Sequence, residues 1–346
     1  MTPSAAPSPV SSPPPPPGAA PLRVGIVGAR RVRQGLGPFV ARDLTRLGAR
    51  VTAVLGTTEN SAEIAAAQIE EHTGRRPAAL ADPETFDAAD LDAVCVLSPA
   101  GTHLQHVERA LARGRHVLCE KPFLWSPERD WSATARRLEE AFAERRLVLA
   151  VNAQWPWVLP AFRELTGLDP HGAATLAMGL APTAPGVQMI GDALPHVLSV
   201  AQALRPGLGG AESIRIEHPR PEFLRIRARL FGEEGALEVD AHLDASAKGQ
   251  PREAWLAIDG VRADRCIRTR DYAMFLRSGA GLVDLPDPMT ARLADFLEAV
   301  RRVQGGLAGS VDRQISRRAA ILDAVARGYE EGFDSSPGSS LPETGL

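Results

Sequence analysis

The chain has 346 residues, 39 basic against 42 acidic, with a net charge of −3 and the two signs interspersed. That balance argues against a nucleic-acid partner, while 44% hydrophobic residues suffice for a sizeable core in two domains or one large one. No apolar run is long enough to span a membrane. Cys95, Cys119 and Cys266 show no CxxC spacing, which points to a reducing, cytoplasmic setting.

Residues 1–21 are rich in Pro, Ser and Ala and lack both the basic and the apolar region of a signal peptide, so a disordered or polyproline II tail is expected there. The folded part opens with a strand from Leu22 to Val27, a loop from Gly28 to Gly37, and a helix. A strand running through a Gly-rich loop into a helix is how a dinucleotide-binding fold begins, because helix N-terminal amides receive a pyrophosphate. Gly28 fits the first glycine, but Arg30 stands where the second is usual. Its side chain must point away, or set its guanidinium on a phosphate. Gly28, Ala29, Arg30 and Arg31 are therefore candidate cofactor contacts.

The next strand, Arg50 to Leu55, ends at Gly56-Thr57-Thr58, where an NAD-preferring fold offers a carboxylate. None stands there, so the pattern leans to NADP over NAD, with Thr57 and Thr58 as contacts and Arg30 or Arg31 on the 2′-phosphate. One of the threonines also caps a helix expected over Ser61–Glu71.

The most informative stretch runs from Asp92 to Trp125. Ala93 to Leu97 is a short apolar run closed by Ser98-Pro99, and so a buried strand. Thr102 with Gln105 three residues on suggests a capping box, and Gly114 a helix stop. His116 to Cys119 forms a second strand that ends at Glu120-Lys121-Pro122. A lysine is thereby placed at the carboxyl end of a parallel strand, where open α/β sheets bind ligands.

The run GTHLQHVERALARGRHVLCEKPF resembles the Gfo/Idh/MocA oxidoreductase family. The resemblance implies a Rossmann domain followed by a substrate domain, with Lys121 beside the nicotinamide and the substrate. It also makes Ser98, Pro99, His103, Glu120 and Pro122 cofactor contacts. His103 and His106 lie three apart on a helix without a third ligand nearby, so no metal site is expected.

A charged helix is expected over 127–145 and a strand over Leu147–Val151, ending in Asn152-Ala153-Gln154-Trp155-Pro156-Trp157. The resembled family turns side chains toward the nicotinamide here, which makes Gln154, Trp155 and Trp157 candidate substrate contacts.

The second half changes grammar. Strands are expected over 173–180, 213–217, 223–230, 236–240 and 253–258, with Leu224, Ile226, Ala228 and Leu230 alternating. This reads as an α+β domain with a mainly antiparallel sheet whose open face is apolar and pairs with another subunit, giving a dimer or tetramer. Between these strands, Asp192 and His196 stand four apart, on one face of a helix. Pro195 fits its first turn if Asp192 is the N-cap. The family places an Asp-x-x-x-His pair facing the nicotinamide, although Ser199 stands here where a further acidic residue is usual. Helices over 289–304 and 312–330 close the fold, the latter packing back on the first domain.

The expected division is 22–150 for dinucleotide binding, 151–333 for substrate and oligomerisation, and a disordered tail over 334–346. The tail's Leu341-Pro342-Glu343-Thr344-Gly345 matches a sortase signal but reads as a tag or a coincidence. Lys121, His196 and Asp192 are the catalytic candidates. They suit an NAD(P)-dependent oxidoreductase acting on a sugar-like, polyol or related alcohol or carbonyl substrate. Two other readings stay open, a dinucleotide-sensing regulator without catalysis and a cofactor-dependent glycosidase or lyase.

Overall fold

The computed structural model describes residues 20–30, 35–127, 129–246, 252–279, 281–307, 312 and 314–334, with side chains to 331. The two expected tails fall almost wholly outside these residues, as does the cofactor candidate Arg31.

The first half alternates strand and helix: β1 (Arg23–Val27), α1 (Gly37–Arg46), β2 (Arg50–Leu55), α2 (Glu59–Thr73), β3 (Ala78–Leu80), α3 (Pro83–Ala88), β4 (Ala93–Val96), α4 (His103–Ala112), β5 (His116–Cys119), α5 (Ser132–Glu144) and β6 (Leu149–Val151). The six strands form one parallel sheet in the order β3-β2-β1-β4-β5-β6. Helices cover both faces, so β4 and β5 are buried at every position, which is why Ala93–Val96 and, after the buried His116, Val117–Cys119 read as apolar runs. Cys95 and Cys119 are two such core positions.

Next come α6 (Leu159–Thr166), β7 (Thr175–Leu180), α7 (Gln188–Leu204), β8 (Leu208–Arg220), β9 (Phe223–Gly232), β10 (Gly235–Asp244), β11 (Ala254–Ile258), β12 (Val261–Ile267), β13 (Met274–Ser278) and β14 (Gly281–Leu285). They build an eight-stranded sheet, antiparallel except where β10 runs alongside β7. Leu224, Ile226, Ala228 and Leu230 of β9 and Leu237, Val239, Ala241 and Leu243 of β10 point into one core with α7.

The opposite face is not apolar, contrary to expectation. Arg225 pairs with Asp240 at 2.7 Å, Arg229 with Glu212 at 3.4 Å, and Arg227 with Glu217. A face covered by ion pairs is solvated without a partner, so the argument from it for a second subunit falls away. The strands β12 to β14 lay beyond the sequence signals, since each fully buries a single residue, Ala263, Leu276 and Leu285, and so shows little alternation; positive-φ turns at Asp259 and Tyr272 lead into β12 and β13.

Two helices end the fold, α8 (Pro288–Gln304) and α9 (Ile315–Asp334). By chain position α8 belongs with the second sheet, yet Leu293, Phe296, Leu297 and Val300 pack in one cluster with Val24, Ile26 and Val40. Helix α9 straddles the junction: Ile315 and Ala319 pack with the first sheet's core, Leu322 and Val325 with the second's.

Candidate active site

The carboxyl ends of β1, β4 and β5 carry Gly28, Ser98 and Lys121 to one edge of the first sheet. Gly28 has φ +74°, and a Cβ there would lie 2.6 Å from the Ser98 Cα, so only glycine lets the two loops touch. A Cβ on Gly37 would fall 1.8 Å from the Ala29 carbonyl oxygen, so α1 starts hard against the loop. Among the described residues, neither a side-chain cap nor a first-turn carboxylate claims the amides of α1. This cradle fits a dinucleotide pyrophosphate. Arg30 is exposed beside it. Thr57 and Thr58 are also exposed, but Thr58 is occupied as the cap of α2, accepting from the Ser61 amide at 3.1 Å.

The capping box expected at Thr102 does not form. A 3-10 turn over Ala100–Thr102 puts Thr102 in helical backbone, and its hydroxyl donates instead to Ser98 Oγ at 2.7 Å and the Pro99 carbonyl at 2.9 Å. His103 is 1% exposed. Its Nε2 lies 2.7 Å from the Ser98 carbonyl oxygen, and its Nδ1 lies 3.0 Å from that of Pro122 and 3.1 Å from that of Phe123. His103 therefore braces the Ser98-Pro99 loop against the Lys121-Pro122 elbow, whose peptide is cis, and faces protein rather than open space. Next to it, Glu120 takes the Asn152 amide on one carboxylate oxygen and the Lys121 N–H at 3.2 Å on the other. Burial pushes the Glu120 carboxyl upward, and these contacts restrain it.

Asp192 was expected at an N-cap. It sits instead in the second turn of α7, which begins at Gln188 and runs through Pro195. Pro195 has no N–H for the Gly191 carbonyl, so the helix is tolerated here by its surroundings rather than favoured. Gly191 explains how close those surroundings are, since a Cβ there would lie 2.3 Å from Nε1 of Trp125. That approach brings Lys121 Nζ to 2.7 Å from both Oδ1 and the main-chain oxygen of Asp192. The other carboxylate oxygen accepts from the Thr183 amide at 2.7 Å and its hydroxyl at 2.8 Å. Burial opposes ionisation, but the Lys121 cation and these hydrogen bonds prevail and bring the Asp192 carboxyl down to about 2.

His196 follows one turn later and is half-buried, with Nδ1 enclosed and unpaired among the described residues. Burial, then the Lys121 charge, hold it well below the ordinary imidazole value, so the ring is neutral at neutral pH. The structure thus gathers Lys121, Asp192 and His196, with a carboxylate anchored and an imidazole left unengaged.

The expected substrate contacts separate. Trp155 is buried in the second core, under the Arg265 guanidinium at 5.2 Å. Gln154 is partly buried beside it, its Oε1 without a partner among the described residues. Trp157 turns to a different cavity of about 310 Å³ between β6, α7, α8 and α9, where its indole N–H donates to Asp295 at 2.9 Å. Thr183 and Arg265 carried no sequence signal: one lies in a loop, the other on a strand without apolar alternation.

A family model described as "Oxidoreductase family, NAD-binding Rossmann fold" matches residues 22–153. A dTDP-3,4-didehydro-2,6-dideoxy-alpha-D-glucose 3-reductase of Actinomadura kijaniata is 33% identical over 136 residues, covering 39% of this chain but only 37% of that protein's length. A reductase of the same name from Streptomyces violaceoruber is 26% identical over 357 residues, covering 88% of this chain and 94% of that one. A solved oxidoreductase from Agrobacterium radiobacter, in complex with NAD+, L-tartaric acid and magnesium, shares the fold with a TM-score of 0.65 at 15% identity, over 90% of this chain and 97% of that one.

Proposed function

We propose, from the match of residues 22–153 to the Gfo/Idh/MocA oxidoreductase family, that the chain moves a hydride between a nicotinamide and an alcohol or carbonyl carbon of a sugar-like or polyol substrate. The reading is carried by the Lys121–Asp192 ion pair, which ties the end of β5 to α7 within a turn of His196. When bound, the nicotinamide supplies the hydride chemistry. The proton falls to the protein. An ammonium has three N–H bonds; Asp192 engages two of those on Lys121, leaving one for the substrate oxygen. His196, neutral and with Nδ1 walled in, presents Nε2 as the base that takes the hydroxyl proton in oxidation and returns it in reduction. Asp192, held by Thr183, fixes where the ammonium stands.

For the cofactor we place NADP(H) ahead of NAD(H), because β2 ends at Gly56-Thr57-Thr58 without a carboxylate and Arg30 is exposed nearby. The test is a panel of sugars and polyols followed by nicotinamide absorbance, with both nucleotides titrated in parallel. Turnover is expected with some member, and His196→Ala is expected to lower kcat by about 10² or more with nucleotide affinity kept. Nucleotide binding without turnover of any member favours the sensing regulator. Substrate loss without net nicotinamide change favours the glycosidase or lyase. Tighter binding of NADH reverses the cofactor preference.

A further inference from the structure

Beside His196 stands a guanidinium with no carboxylate of its own. Arg265 leaves β12 on the same side as buried Ala263, toward the core that includes α7. It lies over the Trp155 ring, near enough to His196 for its charge to add to the depression of that imidazole. One Arg265 nitrogen donates to the Arg252 carbonyl at 3.2 Å, and its Nε is enclosed without a partner. The neighbouring carboxylate, Asp264, is taken by Arg262 at 2.8 Å. Arg252 is in the same condition. It donates to the Ala181 carbonyl at 2.8 Å, two residues before the threonine that holds Asp192, and its Nε is enclosed and unpaired. Neither arginine has an ion-pair partner among the described residues.

The charges that reach the proposed base are thus those of Lys121, engaged by Asp192, of Arg265, and of Arg318, which has Asp312 at 3.9 Å, while Arg252 adjoins Arg265 through its carbonyl. A largely enclosed guanidinium without a counter-charge is costly, and a planar fork of donors matches a carboxylate or phosphate. We propose that the substrate carries an anionic group, carboxylate or phosphate, and that Arg265, aided by Arg252, receives it while the reacting carbon lies at Lys121 and His196. The position of that carbon rests on the hydride reading above; the anion site itself does not.

The test is calorimetric titration of the whole chain, with NADP present and again with NAD, by D-glucose, D-glucuronate and D-glucose 6-phosphate. One or both anions are expected to bind roughly 10- to 100-fold more tightly than glucose, and which of them does so separates carboxylate from phosphate. Arg265→Leu is expected to abolish the preference, and Arg265→Lys, which keeps the charge and loses the fork, to restore part of it. Anions bound no more tightly than glucose overturn the proposal, as does a preference that survives Arg265→Leu. Should the leucine variant fail to fold, an unchanged preference in Arg265→Lys overturns the fork, and a partial loss supports it. An Arg265-dependent preference in a protein that never reduces nicotinamide leaves the anion site standing and removes the hydride reading. Oxidation of a neutral sugar with kcat/KM unaltered by Arg265→Leu does the reverse.

Discussion

Asp192 and Asp323 are both aspartates of long helices at the junction of the two sheets, and burial is the largest influence on each. They end on opposite sides of the ordinary value of 3.8, Asp192 at about 2 and Asp323 at about 6. Asp323 accepts from the main-chain N–H of Trp131 at 3.0 Å and of Ser132 at 3.2 Å, so it is not poorly hydrogen-bonded. What it lacks, among the described residues, is an ion-paired cation, and it has Asp130 beside it instead. Burial acts alike on both carboxylates, and the nearest charge sets the sign. One end of the junction therefore keeps an anion ready beside a lysine, while the other has a carboxyl that takes up a proton as the pH falls through about 6.

Removing the lysine breaks the contrast and has the largest expected effect. Lys121→Ala should slow single-turnover hydride transfer by about 10² or more with nucleotide affinity little changed. Without its cation, the Asp192 carboxyl should move upward, in the direction of Asp323. Unchanged transfer rates would remove Lys121 from the proposed chemistry.

Acid sharpens the contrast next. The folded value of Asp192 lies below the ordinary one, so its stabilisation is complete above about pH 4 and disappears as the pH falls through about 2. It amounts to roughly 2 kcal/mol, and urea unfolding across that range should show a shallower slope for Asp192→Asn. An identical slope would mean that the ion pair contributes nothing.

An effect of similar size runs the other way. Asp323 has a raised folded value, so its contribution is present below the ordinary value of 3.8 and lost as the pH rises through about 6. Asp323→Asn, which keeps one acceptor oxygen, should gain about 2 kcal/mol at pH 7.5 relative to its effect at pH 4. Melting temperatures at the two pH values give the comparison, and an equal shift at both would show that Asp323 does not titrate there.

Much of the first sheet was legible because a strand buried on both faces favours an apolar run, as at Ala93–Val96 and Val117–Cys119. The alternation of β9 was legible because one face is buried and the other is not. These signals depend on neighbours within a few residues. Lys121 and His196 could likewise be singled out as candidates from short motifs. The strand β12, and Arg265 on it, could not be, because that strand, although flanked by β11 and β13, fully buries only Ala263 and so shows no period.

The start of α7 was misplaced for a related reason. Local rules put Pro195 in a first turn, whereas the packing of Gly191 on Trp125 carries the helix through it. The amino-acid sequence by itself determined the pattern of elements and the chemical types available at their ends. Only the tertiary structure decided which carboxylate is ionised beside a cation. Lys121 and Asp192 lie 71 residues apart, and Coulomb interaction follows distance through space, not along the chain.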